Sequence, residues 1–332
     1  MSARKPTAVI ITTGGTIASR PDPVTGAVVP AVSGEDLVSA VPGLSHVANV
    51  EVRAYRNVLG PALEPEDLFA IGRMAVDALK QDAVDGVVVT SGTGIIEEGS
   101  YLCDLLNTTD KPLVWTGAQF SADMWDTDGP RNLLNSVRVA VDPEARGMGA
   151  VVCFNQEINA ARDVIKHHKS NMHTFTSLDV GILGRADEDR VVFVRRPARR
   201  RAFDVARIEP NVDFIKIVAG SDDRFFRASI AAGAKGIVVE SFPGVGILSP
   251  RTLPGALAAR EAGIPVVLTT RSIQGRTIPK YGGEIGARDL IRHGIILAGD
   301  LAPSKAHVLL MVLLAVTQDN ERLRELFADA AP

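Results

Sequence analysis

Short, nearly continuous apolar runs recur in the first half of the chain, and two of them end in glycine and threonine. The first covers residues 9–18, where Val-Ile-Ile gives way to Thr-Thr-Gly-Gly-Thr-Ile-Ala. The second covers residues 87–94, where three valines give way to Thr-Ser-Gly-Thr-Gly. Runs that are apolar throughout are typical of parallel strands buried on both faces. We therefore predict two buried parallel strands whose carboxyl ends open into tight loops.

Helical patterns lie between these runs. Residues 65–80 carry apolar side chains at helical spacing, residues 128–141 follow a further strand at 111–118, and extended and helical patterns alternate over residues 214–270. This alternation predicts an α/β protein. We expect a larger N-terminal domain around a doubly wound, mainly parallel sheet and a smaller C-terminal α/β domain with a parallel sheet.

The length of the chain favours the same division. A chain of 332 residues with 46% hydrophobic residues exceeds the size at which one core usually divides in two. We predict an N-terminal catalytic domain at residues 1–195, a linker at 196–212 and a C-terminal domain at 213–332. The linker begins in a basic cluster at 195–201, which contains proline. A solvated linker or an interface contact is the favoured interpretation of that cluster, ahead of a polyanion site.

Composition excludes several classes of partner. The net charge is −3, so the chain has no overall basic character for binding nucleic acid. No apolar stretch is long enough for a membrane span, and residues 1–5 do not resemble an export signal. Cys103 and Cys153 stand far apart in a predicted helix and strand, as buried core thiols do. We expect a cytoplasmic protein that binds neither nucleic acid nor a membrane.

The two glycine-threonine loops are candidates for chemistry. Glycine lets a ligand approach the main chain closely, and ligands of open α/β sheets lie beyond the carboxyl ends of the strands. Thr16 and Thr93 would then face one pocket with their hydroxyl groups. On the first loop alone, a structural interpretation is equally favoured, in which the glycines turn the chain and Thr16 caps a helix.

Longer motifs decide between these interpretations. They lie at residues 14–18, 90–102, 116–118, 128–134 and 298–311. In content and order they resemble the bacterial-type L-asparaginase family of amidohydrolases, and the resemblance covers nearly the whole chain. It implies a hydrolase acting on linear amide C–N bonds through a threonine nucleophile. It also implies a homodimer or homotetramer with shared active sites and a reaction that needs no cofactor.

The resemblance assigns roles to individual residues. Thr16 is the implied nucleophile, and Thr93 with Lys166 is the implied activating relay or base for water in the second step. The loops at 14–15 and 92 are expected to supply backbone N–H groups to an oxyanion. The positions expected to line the substrate pocket are Gly15, Gly60, Pro61, Gly92, Gly94, Ala118, Ile247 and Glu284.

Several of these positions depart from the family pattern. Gly94 replaces the aspartate that pairs with the α-ammonium of asparagine, and Gly60 with Pro61 replaces the Ser-Gln or Ser-Asp that holds the head of the amino acid. Ile247 replaces an asparagine that reaches a neighbouring subunit. A flap expected at residues 19–33 lacks the family's tyrosine, and Val28 or Val29 falls near its place.

These departures favour a particular substrate. A buried ammonium without a partner costs several kcal/mol, so an amino acid fits this pocket poorly. We predict hydrolysis of a primary amide of a small carboxylic acid that lacks the α-amino group, with release of ammonia. Two alternatives stay open. One is a true L-asparaginase in which Glu97 or Glu284 binds the ammonium, and the other is a non-catalytic amide-binding or sensor protein.

Two further groups of residues have open interpretations. Met124 and Trp125 either pack under their loop or enlarge an apolar wall for a different acyl group. His167, His168 and His173 lack a carboxylate or cysteine at a ligand spacing, so hydrogen-bonding or solvated histidines are favoured over a metal site.

Overall fold

The architecture comes from a computed structural model that describes residues 4–331. Within that range the chain divides into two compact units, and the boundary along the sequence falls between Asp204 and Val205. The first unit is built on an eight-stranded sheet and the second on a four-stranded sheet, counted over the described residues. The α/β class and the larger and smaller sheets are as the sequence predicts.

The large sheet joins a parallel half to an antiparallel half. Its strand order is β12-β11-β8-β7-β6-β5-β1-β4, in which β4, β1, β5, β6 and β7 are parallel and β8, β11 and β12 are antiparallel. These strands are β1 (Thr7–Gly14), β4 (Asn49–Val58), β5 (Gly86–Thr90), β6 (Leu113–Thr116), β7 (Ala150–Phe154), β8 (Glu157–Ala160), β11 (Gly184–Ala186) and β12 (Val191–Phe193).

Two short hairpins stand outside the large sheet. The first pairs β2 (Ser19–Pro21) with β3 (Val28–Pro30), and the second pairs β9 (Ile165–Lys166) with β10 (Phe175–Thr176). The helices of this unit are α1 (Gly34–Ser39), α2 (Leu44–Val47), α3 (Pro65–Leu79), α4 (Ile96–Leu106) and α5 (Gly129–Ala140).

The core of the first unit lies on the central strands. β1 and β5 are fully buried over their apolar runs, because helices cover both faces of the parallel half. A cluster on one face joins side chains of β1, β5 and β6 to α1, α2 and α5. Cys103 and Cys153 are buried, and burial raises the pKa of both thiols to about 12. They are core thiols, as expected.

The second unit is a parallel sheet with strands in chain order. These strands are β13 (Val212–Lys216), β14 (Gly236–Ser241), β15 (Val266–Thr270) and β16 (Ile296–Leu297). The helices are α6 (Arg224–Ala232), α7 (Leu253–Glu261), α8 (Ala287–Arg292), α9 (Pro303–Val316) and α10 (Asn320–Ala330). Each crossover carries a helix, as parallel strands require.

Three arginines of the basic cluster form hydrogen bonds or an ion pair with the first unit. Arg195 donates to the Gly181 and Ile182 carbonyls, and Arg196 donates to the Glu144 and Arg146 carbonyls at 2.9 and 2.8 Å. Arg200 reaches the buried Asp104 carboxylate at 3.4 Å. Arg196 is exposed, whereas Arg195 and Arg200 are half-buried.

Candidate active site

Three loops meet backbone to backbone at the carboxyl ends of the parallel strands. A Cβ added at Gly15 would lie 2.1 Å from the Gly92 nitrogen, and one added at Gly92 would lie 2.8 Å from the Gly60 nitrogen. Gly15 also has a φ of +81°, which L side chains rarely adopt. Only glycine fits these contacts, so three of the predicted pocket residues are brought together.

Thr16 begins a short 3₁₀ helix over Thr16–Ala18, directly after Gly15. Thr16 is half-buried, and the N-cap position of that helix is Gly15. The capping interpretation of Thr16 is therefore wrong. The Gly15 N–H donates to the Val58 carbonyl at 2.9 Å, which corrects the expectation that this group is free for an oxyanion.

Thr93 begins the matching 3₁₀ helix, Thr93–Ile95, directly after Gly92. Its side chain is 8% exposed, and its Oγ1 lies 2.7 Å from Nζ of Lys166. Because Thr16 and Thr93 each follow one glycine of a contacting pair, the two hydroxyl groups belong to adjoining loops. Lys166 comes from β9, a short strand outside the sheet.

The environment of Lys166 suits a base. Burial lowers the pKa of its ammonium from the ordinary lysine value, and the charge of Glu97 acts in the opposite direction. Glu97 lies in the first turn of α4, and its Oε1 accepts the backbone N–H of Lys166 at 2.8 Å. One carboxylate thus fixes the main chain at Lys166 and partly offsets the cost of burying its charge.

Gln119 is a further member of this network, and the sequence pattern had not predicted a role for it. Its Oε1 lies 3.2 Å from Thr93 Oγ1, and its Nε2 donates to the Asn171 carbonyl at 3.1 Å. The sequence did contain a signal for this role. Gln119 is a polar residue directly after Ala118, in a loop that follows a buried strand. Ala118 itself is fully buried.

The loop that carries Gln119 is supported by α5. The Asp128 carboxylate accepts hydrogen bonds from the backbone N–H groups of Gln119 and Phe120, both at 3.0 Å. It also accepts a hydrogen bond from Nδ2 of Asn132 at 3.0 Å. Asn132 Nδ2 also donates to the Gly117 carbonyl at 3.0 Å. Asp128 and Asn132 are both buried, so the backbone of this loop is fixed by buried hydrogen bonds.

Of the departures from the family pattern in the first unit, Gly94 leaves open space and Gly60 does not. A Cβ added at Gly94 would meet no heavy atom within 4 Å, and Gly94 is exposed. Gly60 is buried against Gly92, whereas Pro61 is exposed. Neither residue carries a polar side chain. Glu97, one candidate for a replacement carboxylate, is engaged with the Lys166 main chain.

The expected flap is the hairpin of β2 and β3. Its turn is closed by Asp22, whose Oδ1 accepts the N–H groups of Val24 and Thr25 at 3.0 and 2.7 Å. Val28 and Val29 lie on β3 and are 47% and 37% exposed. The 119–128 loop is joined to the base of this hairpin, since the Ala122 N–H donates to the Ser19 carbonyl at 3.1 Å.

The structure gives the exposure of Met124 and Trp125 and the hydrogen-bond partners of His168 and His173. Trp125 is 94% exposed and Met124 is 42% exposed, so packing beneath the loop is wrong for both. His168 Nδ1 accepts two backbone N–H groups, and His173 Nε2 lies 3.2 Å from Glu157. The part of the chain that the structure describes contains no cluster of three or more His, Cys, Asp or Glu side chains arranged to hold a metal.

Ile247 and Glu284 belong to the second unit. An isolated bridge joins Ile247 to Gly286, which places the turn after Glu284 beside it. Glu284 is exposed and Ile247 is half-buried. Among residues 4–331, no helix is long and apolar enough to cross a bilayer.

Comparison with known proteins gives consistent matches along the chain. The family described as Asparaginase, N-terminal, matches residues 7–199, and the Glutaminase/Asparaginase C-terminal domain matches residues 211–327. L-asparaginase 2 of Bacillus subtilis is 33% identical, over 96% of this chain and 85% of the relative. Glutaminase-asparaginase of Pseudomonas fluorescens is 31% identical, over 96% of this chain and 89% of the relative.

A solved structure agrees with these sequence matches. The probable cytoplasmic L-asparaginase from Campylobacter jejuni superimposes with a TM-score of 0.88 at 29% identity, covering 98% of this chain and all of that one. The chain therefore belongs to the asparaginase family of amidohydrolases, enzymes that act on linear amide C–N bonds.

Proposed function

We propose that this enzyme hydrolyses a primary amide of a small carboxylic acid that lacks the α-amino group, and that it releases ammonia. The observation that carries the proposal is the open space at Gly94. A substrate ammonium there would meet no carboxylate from this position, so it would gain no stabilisation from a charge pair. The threonine and lysine groups that the chemistry needs are nevertheless retained.

The proposed reaction passes through an acyl-enzyme. Thr16 Oγ1 attacks the amide carbonyl and loses its proton, the C–N bond breaks, and the nitrogen leaves as ammonia after taking up a proton. Water then attacks the Thr16 ester, which releases the carboxylic acid and restores the hydroxyl. Splitting the reaction in this way replaces one difficult step with two easier ones.

Thr93 and Lys166 supply the proton transfers in this scheme. The 2.7 Å contact between Thr93 Oγ1 and Lys166 Nζ supports a relay, and the lowered pKa of Lys166 supports its use as a base. The oxyanion donors are the backbone N–H groups at the start of the Thr93–Ile95 turn, where a helix leaves its first donors unpaired. A well-placed donor contributes about 3 to 4 kcal/mol.

A panel of amides tests the substrate assignment. Ammonia release is measured with asparagine, glutamine, succinamate and unsaturated acid amides, for the wild type and for Thr16→Ala. We expect turnover of the amides without an α-amino group and loss of activity in Thr16→Ala. Turnover confined to asparagine and glutamine would overturn the substrate assignment, and full activity in Thr16→Ala would overturn the nucleophile.

A true L-asparaginase is the second candidate. The names of the relatives favour it, since they are L-asparaginases and glutaminase-asparaginases. It requires a carboxylate other than Glu97 at the ammonium, and Glu284 is the candidate. Loss of asparagine turnover in Glu284→Gln, with succinamate turnover unchanged, would support this function.

We also infer a cytoplasmic homotetramer with shared sites. The name of the Campylobacter jejuni neighbour supports the location, and the buried unpaired thiols suit a reducing compartment. The assembly would use Ile247 and Glu284 of one copy at the site of another. Light scattering at several protein concentrations would test it, and a monomer with full activity would contradict it.

A further inference from the structure

We propose that Gln119 is a positioning residue that sets the direction of the Thr93 hydroxyl and thereby controls when Lys166 can act as a base. The inference rests on the proposed function only in taking the neutral form of Lys166 as the active one. It concerns an uncharged side chain that is hydrogen-bonded to Thr93. Its evidence is the hydrogen-bond directions around Thr93.

The Gln119 amide can have only one orientation. Its Nε2 lies 3.1 Å from the Asn171 carbonyl and 3.4 Å from the Lys169 carbonyl. Carbonyl oxygens only accept hydrogen bonds, so the NH₂ end must face them. The Oε1 end therefore faces Thr93, at 3.2 Å from Oγ1.

This orientation fixes where the Thr93 proton points. An amide oxygen only accepts, so Thr93 must donate its single hydroxyl proton to Gln119. The 2.7 Å contact with Lys166 is then one in which Nζ donates and Thr93 accepts. A lysine that is to remove the Thr93 proton has to accept it, so Gln119 holds the proton that the base must take.

Within residues 4–331, the charge that shifts the pKa of Lys166 comes from α4. Glu97 of α4 is the charged group whose field acts on the ammonium, and burial acts against it. On the paired strand β10, the uncharged Phe175 lies opposite Lys166. A change at Gln119 therefore alters the balance between the two forms of Lys166 directly.

Gln119 also joins Thr93 to the loop after β9. Its two carbonyl partners belong to Lys169 and Asn171, which are exposed. The loop is held by His168, whose Nδ1 accepts the N–H groups of Ser170 and Asn171 at 3.1 and 2.8 Å. Movement of this loop would release the Gln119 amide and free the Thr93 proton for Lys166.

Two substitutions are expected to act in opposite directions. Gln119→Met keeps the length of the side chain but removes the acceptor, so Thr93 can donate to neutral Lys166 and favour that form. Gln119→Glu places a negative charge beside Thr93 and favours the ammonium. A shift of half a pKa unit changes the neutral fraction about threefold. We expect the pKa of Lys166 to fall by at least half a unit in Gln119→Met and to rise by at least half a unit in Gln119→Glu.

The readout does not depend on turnover. The pH dependence of Lys166 acylation by acetic anhydride, followed on its peptide by mass spectrometry without substrate, reports the neutral fraction directly. The pH dependence of kcat/KM with succinamate is measured in parallel. Gln156→Met is the matched control, because Gln156 Nε2 also donates to a backbone carbonyl, that of Ala186 at 3.4 Å.

The outcomes are separable. Opposite shifts in the two variants, with none in Gln156→Met, support the positioning role. Shifts in the same direction or none at all would overturn it, even if the wild type hydrolyses amides. If acylation shifts while the kcat/KM profile does not, the role of Gln119 stands and Lys166 is not the catalytic base. Both variants are expected to fold, because the freed carbonyls belong to exposed residues that water can reach.

Discussion

Direct contact between main chains determines the candidate site at the scale of single residues. Gly15 and Gly92 touch without any side chain between them, and each is followed by a threonine with a hydroxyl group. Any side chain at Gly15 would separate the two loops. The distance between the two hydroxyl groups thus depends on a missing Cβ.

Substitution of Gly15 is predicted to disturb both stability and activity. In Gly15→Ala the added methyl meets the Gly92 backbone at 2.1 Å, so the loops must separate. Overpacking of this kind costs about 1 to 3 kcal/mol beyond the backbone strain. We expect a lower midpoint in scanning calorimetry and at least a tenfold loss of kcat/KM.

Gly263 provides the control for this substitution. It has a φ of +78°, but no heavy atom lies within 4 Å of an added Cβ. Gly263→Ala should therefore lose about 1 kcal/mol from strain alone and keep its activity. Equal losses in the two variants would show that the contact with Gly92 is not needed.

The pH dependence of activity is also a matter of one residue. Because burial lowers the pKa of Lys166, its neutral form becomes populated at lower pH than in an ordinary lysine. Activity that needs this form rises with pH and levels off above the lowered pKa. We expect the rising limb of kcat/KM below pH 10.5, the ordinary value for lysine.

Lys166→Met should remove this limb and lower kcat by about 10² to 10⁴-fold, the usual range for loss of an acid-base group. Exposed Lys80, at the end of α3, gives the matched control Lys80→Met, which should leave the profile unchanged. A Lys166→Met variant that retains the wild-type profile would exclude this lysine as the base.

At the scale of elements, α5 supports the site from outside the pocket. Its N-terminal cap residue Asp128 accepts the two backbone N–H groups that orient Gln119 and Phe120. The helix thus controls a loop that contacts the Thr93 and Lys166 pair through Gln119. A residue with no contact to substrate is expected to affect the reaction.

Asp128→Ala is predicted to lower activity more than it lowers stability. Two buried or half-buried N–H groups lose their acceptor, so the Gln119 loop loosens and kcat/KM should fall about tenfold, equivalent to 1.4 kcal/mol. The measurement is kcat/KM with the calorimetric midpoint in parallel. Asp142→Ala is the control, because Asp142 caps the short helix at Pro143–Ala145 by accepting the Glu144 N–H.

The sequence predicted the strands and loops of the site better than it predicted the hydrogen bonds around Thr93 and Lys166. Apolar runs ending in glycine identified β1 and β5, because burial on both faces leaves a clear pattern. The pairing of β8, β11 and β12 was not predicted, since these strands have only three or four residues each. Gln119 and Asp128 were not assigned roles, because their hydrogen bonds depend on tertiary placement.

At the scale of the whole molecule, Arg200, which follows the last strand of the large sheet, ties the end of the first unit to residues 104–109. Arg200 donates to the Asn107 and Thr109 carbonyls and reaches Asp104, whose Oδ1 also accepts the Ala150 N–H at 2.8 Å. Burial raises the pKa of the Asp104 carboxyl, and the Arg200 charge opposes that rise. The arginine thus stabilises a charge that would otherwise be costly.

Arg200→Met is predicted to destabilise the protein by about 3 kcal/mol, because one partner of a buried pair remains. The folded-state pKa of Asp104 then rises further above its unfolded value. The loss is therefore small below the unfolded pKa and grows as pH rises through the folded one. Calorimetry at pH 5 and pH 8 should show the larger loss at pH 8, and Asp104→Asn should recover part of it.

Arg196→Met is the control for this pair, since Arg196 bonds only to exposed backbone in the described part of the chain. It should change stability little and without dependence on pH. An equal loss at both pH values in Arg200→Met would show that the protonation of Asp104 does not change between pH 5 and pH 8.

The most direct test of the account is the ratio of kcat/KM for asparagine to that for succinamate, in the wild type and in Gly94→Asp. The space at Gly94 accepts the new side chain without a clash, and its carboxylate would pair with the substrate ammonium. We predict a wild-type ratio well below one and a rise of about fivefold in the variant, equivalent to about 1 kcal/mol for a charge pair at an exposed position. A wild-type ratio above one that Gly94→Asp leaves unchanged would contradict the account.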